Sequence, residues 1–240
     1  TVRIAEARND LLTTENGETY IDLVCGFGTV LLGHCEPRIA EAVKTQLDRV
    51  WATARMETPL YREARSRVQD FLPDGLHFTD FYTTGMEAAE FALRMARVIT
   101  GRSTFIGFAQ CMHGKSMATA ALCWQNTNVD MPRFHRLPFL TDLPADAVLA
   151  QLHEHLRSEC VAAVFLEPVQ GSTSGTFVTA EFYRELRGLC RRYQTLLVVD
   201  EILVGFHRTG PAFVFPELGD PPDILLMGKT MANGFPVSAV

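Results

Sequence analysis

Five short, almost unbroken apolar runs govern what this chain can fold into. They are Asp80–Thr84, Thr104–Ala109, Ala162–Glu167, Thr195–Asp200 and Asp223–Met227. None alternates apolar and polar residues as a half-exposed strand does, so each is expected to be a strand covered on both faces. Around them lie longer stretches with helical spacing. In Pro37–Val50, Ile39, Val43, Leu47 and Val50 recur on one face, and Pro37 suits a first turn. Leu60–Leu72, Met86–Ile99, Ala145–Arg157 and Ala180–Tyr193 read the same way. Strand and helix alternating through short connections imply an α/β fold, a mostly parallel sheet with helices on both faces.

Composition narrows the function classes. The 240 residues are 47% hydrophobic and 21% charged, enough apolar mass for one large domain or one plus an appendage. The net charge is -6 and the 22 Lys and Arg form no basic patch, which argues against nucleic acid as a partner. No apolar run approaches the roughly 18 residues that span a bilayer, so no membrane partner is expected. The six cysteines (25, 35, 111, 123, 160 and 190) show no C-x-x-C or zinc-like spacing. They read as buried free thiols of a reducing, cytoplasmic setting, with no metal site. The chain begins at Thr1 and ends at Val240 inside an apolar stretch, as expected of a processed chain or a piece of a longer one.

Ligands of parallel sheets gather beyond the carboxyl ends of the strands. That rule selects Thr83-Thr84-Gly85, Glu167-Pro168, Asp200-Glu201 and Gly228-Lys229. In "TTGMEAAEFALRMAR" (83–97) a strand runs straight into a helix start, which is either an anion site or simply a capped turn. Asp200 closes four apolar residues, as a counter-ion for a buried cation or as a turn residue. Lys229 follows another apolar run, as a nucleophilic amine or as a lysine reaching out to water. Taken together, an anion cup, a buried acid and a nucleophilic lysine suit pyridoxal phosphate (PLP).

The chain resembles the class III, glutamate-semialdehyde-type aminotransferases of PLP fold type I. The likeness runs through "NGETYIDLVCGFGTVLLGHCEPRIAEAV" (16–43), the 83–97 stretch, "MHGKS" (112–116), "FLEPVQG" (165–171), "VVDEILVGFHRTG" (198–210) and "GKTMANGFPVSAV" (228–240). It implies a seven-stranded-type large domain over residues 56–240, incomplete and lacking the C-terminal small domain. Residues 1–55 would be an N-terminal segment bordering the active site. Lys229 and Asp200 would be catalytic: Lys229 as the Schiff-base lysine and proton carrier, Asp200 holding the pyridine nitrogen protonated. Thr84, Gly85 and Met86 would cradle the phosphate, Ile202 would pack on a ring face, and Met112, His113 and Glu167 would stand around the cofactor. Gly26-Phe27-Gly28 would border the substrate pocket. The resemblance also implies a homodimer with shared active sites, and small-molecule amino donors and carbonyl acceptors as partners.

Several positions depart from the family pattern. Met112 stands where an aromatic stacks on the cofactor, Leu203 where many relatives carry Gln, and His207 where the pattern has Gly. The reaction implied is a ping-pong amino transfer. A same-family aminomutase, racemase or decarboxylase, and a non-catalytic binding subunit, remain as alternatives. His34, His135, His153 and His155 read as structural or surface residues, Arg94 and Arg97 as a solvated helix face, and Trp51 and Trp124 as core or interface residues.

Overall fold

The computed structural model describes residues 1–54, 56–123, 129–158 and 160–240, so Trp124 lies outside the described residues. Three antiparallel strands come first: β1 (Ile4–Arg8), β2 (Leu11–Thr14) and β3 (Thr19–Ile21). Their turns use Asn9 at φ 54 and Gly17 at φ 86, left-handed conformations that Asn and Gly tolerate best. Two helices follow, Pro37–Leu47 and Pro59–Phe71. Each has proline in its first turn and is capped by a side chain, Glu36 on the Ile39 amide and Thr58 on the Tyr61 amide.

The main sheet is built from β5 (Thr104–Phe108), β6 (Phe134–Leu137), β7 (Val161–Leu166), β8 (Leu196–Asp200) and β9 (Ile224–Leu226). All are parallel, in the order β6-β5-β7-β8-β9. The edge beyond β9 is continued by β10 (Ser238–Ala239) through the antiparallel bridge Met227–Ala239. In turn, β10 pairs antiparallel with β4 (Phe81–Tyr82). Counting across that bridge gives the expected mostly parallel sheet of seven strands.

The strands bury residues on both faces, as their continuous apolarity requires. On one face Ile106, Phe108, Val164, Leu166, Leu197, Val199 and Leu225 meet the helices Ala145–Ser158 and Ala180–Arg192. On the other, Phe105, Ala162, Ala163, Phe165, Val198 and Leu226 meet the helix Gly85–Thr100. That helix turns Ala88, Ala89, Ala92 and Ala96 inward, and small side chains let it lie close to the sheet. Its ends are fixed locally. Thr84 Oγ1 accepts the Glu87 amide while Glu87 Oε2 accepts the Thr84 amide, and Gly101 closes the helix at φ 68.

Some expectations need correction. β4 is shorter than Asp80–Thr84 because Thr84 leaves the strand to cap the helix. Cys35 and Cys160 are exposed and Cys25 is partly exposed, so only Cys111, Cys123 and Cys190 are buried; all six are free thiols. Trp51 is exposed rather than in the core, with Nε1 donating to the Leu47 carbonyl. His135 and His155 do meet, ring centroids 4.8 Å apart, while His153 bonds the Tyr193 hydroxyl. Among the described residues no group of three or more His, Cys, Asp or Glu could hold a metal, and no helix is long and apolar enough to cross a membrane.

Gly107 marks the tightest packing. A Cβ there would stand 2.3 Å from the Leu122 carbonyl oxygen, backbone that cannot step aside cheaply. Gly107→Ala is expected to cost about 2–3 kcal/mol in chemical denaturation, an overpacking penalty. Gly188→Ala, in a helix with open space around it, is expected to be neutral or to gain up to about 1 kcal/mol.

Candidate active site

The four selected strand exits converge at the carboxyl edge of the sheet. Asp200 is the last residue of β8 and is buried. Its Oδ2 lies 2.7 Å from His113 Nδ1, and its Oδ1 accepts the Ile202 amide at 3.0 Å. Both side chains of this pair are sealed from water, with side-chain exposures of 0% for His113 and 2% for Asp200. Burial works against a charged His113, but the hydrogen bond and charge of Asp200 outweigh it, so the imidazole holds its proton above the ordinary histidine range. The other ring nitrogen, Nε2, is buried and has no hydrogen-bond partner among the described residues.

Glu167 leaves β7 beside this pair, and its Oε2 accepts the Met112 amide at 2.9 Å. Burial pushes its pKa up to about 7, against the pull of His113 and with a push from Asp200. Lys229 sits at the exit of β9 on a short 3-10 turn, Lys229–Ala232. Among the described residues its amine has no hydrogen bond or ion pair. Burial lowers its pKa, Asp200 and Glu167 act in the opposite sense, and Arg208 adds to the lowering. An amine partly stripped of water and unpaired is more readily neutral, hence nucleophilic, than a surface lysine.

Thr84, Gly85 and Met86 form the start of the Gly85–Thr100 helix, where the first amides have no preceding turn to bond. Ile202 presses on this start: a Cβ at Gly85 would come within 2.8 Å of Ile202 Cδ1, and one at Gly228 within 3.3 Å of Ile202 Cγ2. Met86 lies against Gly114, next to His113. Thus the residues expected around the cofactor are brought to one edge. Met112 and Glu167 meet through the bond from the Met112 amide to the Glu167 carboxylate, His113 and Asp200 through an ion pair, and Ile202 lies between the helix start and Gly228. Gly28 of the N-terminal segment is also here, its carbonyl accepting from Arg208 and Thr230.

Sequence reasoning passed over several neighbours. Arg208, Thr230, Asn233 and Ser238 all lie inside the quoted motifs but were given no role. Ser238 Oγ donates to the Thr84 carbonyl at 2.7 Å and ties the helix start to β10. Leu203 fills the space where a Cβ on Gly28 or Gly171 would stand, at 2.9 and 2.5 Å, so an apolar wedge occupies the position where Gln was noted in relatives. His207 sits at φ 65, which explains why glycine suits that position; its Nδ1 approaches the Gly210 carbonyl at 3.1 Å. His34 is structural, pairing with Asp22 at 2.7 Å.

The sequence model of the family Aminotransferase class-III matches residues 1–240. The acetylornithine aminotransferase of Bacillus subtilis (strain 168) is 35% identical over 245 residues, covering 100% of this chain and 61% of that protein. The 2-aminoadipate transaminase of Pseudomonas putida is 34% identical over 256 residues, again covering 100% and 61%. Among solved structures, a transaminase from the marine bacterium Virgibacillus superposes with a TM-score of 0.90 at 25% identity, covering 100% of this chain and 58% of that one. A PLP-bound amine transaminase from an uncultivated Pseudomonas species gives 0.87 at 26% identity, covering 100% and 61%. The chain thus spans about three-fifths of the length of the curated relatives it matches.

Two buried acids set a pH dependence. Glu201 accepts the amides of Val214 and Phe215 and, like Glu167, is pushed up to about 7, chiefly by burial. A folded pKa above the unfolded value near 4.5 means stability is fully present below pH 4.5 and is lost as pH rises through 7. Glu201→Gln, which removes one of these titrations, is expected to show a shallower loss of stability between pH 5 and 8 in denaturant titrations. Identical pH profiles for the two proteins would contradict this assignment.

Proposed function

The chain belongs to the class-III aminotransferase family, and from that premise we propose that the protein is a PLP-dependent aminotransferase. It would move an amino group from an amino donor to a keto or aldehyde acceptor in two half-reactions. The carrying observation is the unpaired, partly buried amine of Lys229, placed where the buried carboxyls of Asp200 and Glu167 both act on it.

The residues present fit the cofactor. The edge offers an unpaired amine, a desolvated carboxylate already balanced by His113, a buried ring nitrogen without a partner and open helix-start amides. When bound, PLP supplies a cationic ring that takes up the electrons released at the substrate carbon. Lys229 would supply the nucleophilic amine that holds the cofactor and would carry the proton to and from that carbon. Asp200 would hold the proton on the ring nitrogen, and His113 keeps Asp200 ionised and aimed through its 2.7 Å contact. Thr84 and the amides of Gly85 and Met86 hold the phosphate. Ile202 would cover one ring face, and Met112, fixed by the bond from its amide to Glu167, would pack at the ring as a flexible thioether in place of an aromatic plate.

The acetylornithine and 2-aminoadipate enzymes among the relatives support an amino acid as the amino donor. In this reading a second subunit completes the site, whose cup is open to solvent at Thr84 and Glu87.

Incubating the full-length protein with PLP, reducing with borohydride and mapping the labelled peptide tests the assignment. The label is expected on Lys229, and Lys229→Ala is expected to lose amine transfer by at least about a thousandfold. A folded protein that takes no label at Lys229, or a Lys229→Ala variant with undiminished transfer, would overturn it.

A further inference from the structure

Lys229 occupies a strained place in the chain. Its φ is 45, a left-handed conformation that is unfavourable for a lysine. Such backbone persists only where the surroundings over-determine it. The 3-10 turn it begins ends at Asn233, also at φ 45, followed by Gly234 at φ 99. The turn's own hydrogen bonds are few, and what holds it comes from far away in sequence.

Both ends of the turn are tied to the loop 28–33. At the near end, Thr230 Oγ1 donates to the Gly28 carbonyl at 3.0 Å. Arg208 donates to the same carbonyl at 2.9 Å and to Thr230 Oγ1 at 3.2 Å. At the far end, Asn233 Oδ1 accepts the Leu32 amide at 2.9 Å, 201 positions away, and Asn233 Nδ2 donates to the Gly33 carbonyl at 3.0 Å. The asparagine amide thus reads one N–H and one C=O on adjacent residues, as a strand neighbour would. Gly234 closes the contact, since a Cβ there would lie 2.9 Å from Val30 Cγ1. The loop is itself anchored: His34 exchanges two backbone bonds with Asn9 and pairs with Asp22, whose other oxygen caps the Val24 and Cys25 amides.

We infer that Asn233 and Thr230, with Arg208, are positioning residues that clasp the N-terminal loop onto the lysine-bearing turn and so hold Lys229 in its left-handed backbone, amine toward Asp200 and Glu167. The loop is then part of the scaffold of the lysine and not only a border of a substrate pocket. This rests on the aminotransferase reading for its consequence in catalysis, but the backbone role stands on the geometry alone. Asn is suited twice over, because it tolerates the left-handed region and carries both a donor and an acceptor.

The test separates backbone preference from the clasp. Asn233→Gly keeps the left-handed turn accessible but removes both side-chain bonds. Thr230→Val removes the near tie, and Thr230→Ser restores its hydroxyl. In full-length protein without cofactor, the reaction of Lys229 with acetic anhydride is followed against pH by peptide mass spectrometry. Asn233→Gly and Thr230→Val are expected to shift the Lys229 labelling profile toward that of an ordinary surface lysine. PLP fixation at Lys229 by borohydride is expected to fall about tenfold or more, as a small misplacement of a reacting group does. Thr230→Ser is expected to match the unmodified protein. Circular dichroism confirms that each variant is folded. Folded Asn233→Gly and Thr230→Val proteins with an unchanged labelling profile would overturn the inference. If the unmodified protein fixes no PLP at Lys229, the aminotransferase reading fails, while the anhydride profile still decides whether the clasp sets the environment of the lysine.

Discussion

A carboxylate at the dry end of a central strand must be compensated, and the His113–Asp200 pair is how this fold does it. Asp200 ends β8, with β7 on one side and β9 on the other, so water cannot solvate it. The proton held by His113 turns a costly isolated charge into a buried ion pair with a further amide bond from Ile202. Around that fixed centre the other groups take their character. Burial raises the Glu167 pKa and lowers that of Lys229, so both are drawn toward their neutral forms, and Ile202 is set against the helix start. Removing His113 would leave Asp200 buried and unpaired, so the pair is a structural condition for the site as well as a chemical one.

The buried strands were legible because parallel strands covered on both faces have no reason to alternate: β5, β8 and β9 fall within the apolar runs, and β7 overlaps its run but starts one residue earlier, at Val161. The edge strand β6, Phe134–Leu137, carries His135 and Arg136 on a partly open surface and gives no such signal. The N-terminal strands were missed although Asn16-Gly17 marks their second turn. With only Thr14 buried among these strands, they lack the apolar pattern that would have drawn notice.

The candidate site was legible where one residue's chemistry suffices, as for Lys229, Asp200 and the Thr84-Gly85 helix start. It was illegible where meaning comes from a partner. Nothing local in Asn233 or Thr230 announces a bond to Leu32, Gly33 or Gly28, because the loop and the turn meet only in the finished fold. Met112 is an intermediate case: its identity departs from the family pattern, yet its backbone still supplies the bond that orders Glu167.

The late strand β10 has a consequence for the order in which the molecule can be completed. It lies between β9 and β4 and carries the Ser238 hydroxyl that holds the Thr84 carbonyl, 154 positions earlier. During synthesis, β4 emerges early and has no neighbour to pair with until the chain has grown past Ala239. At roughly 5–20 residues per second, that edge waits on the order of ten seconds or more on the ribosome. The unpaired edge of a growing chain is where association with other chains begins, and a strand of only two residues, Phe81–Tyr82, offers little to grip. The brevity of β4 therefore fits a strand whose partner is made long after it, and it ties the pairing of β4 to the same late stretch that carries the lysine turn.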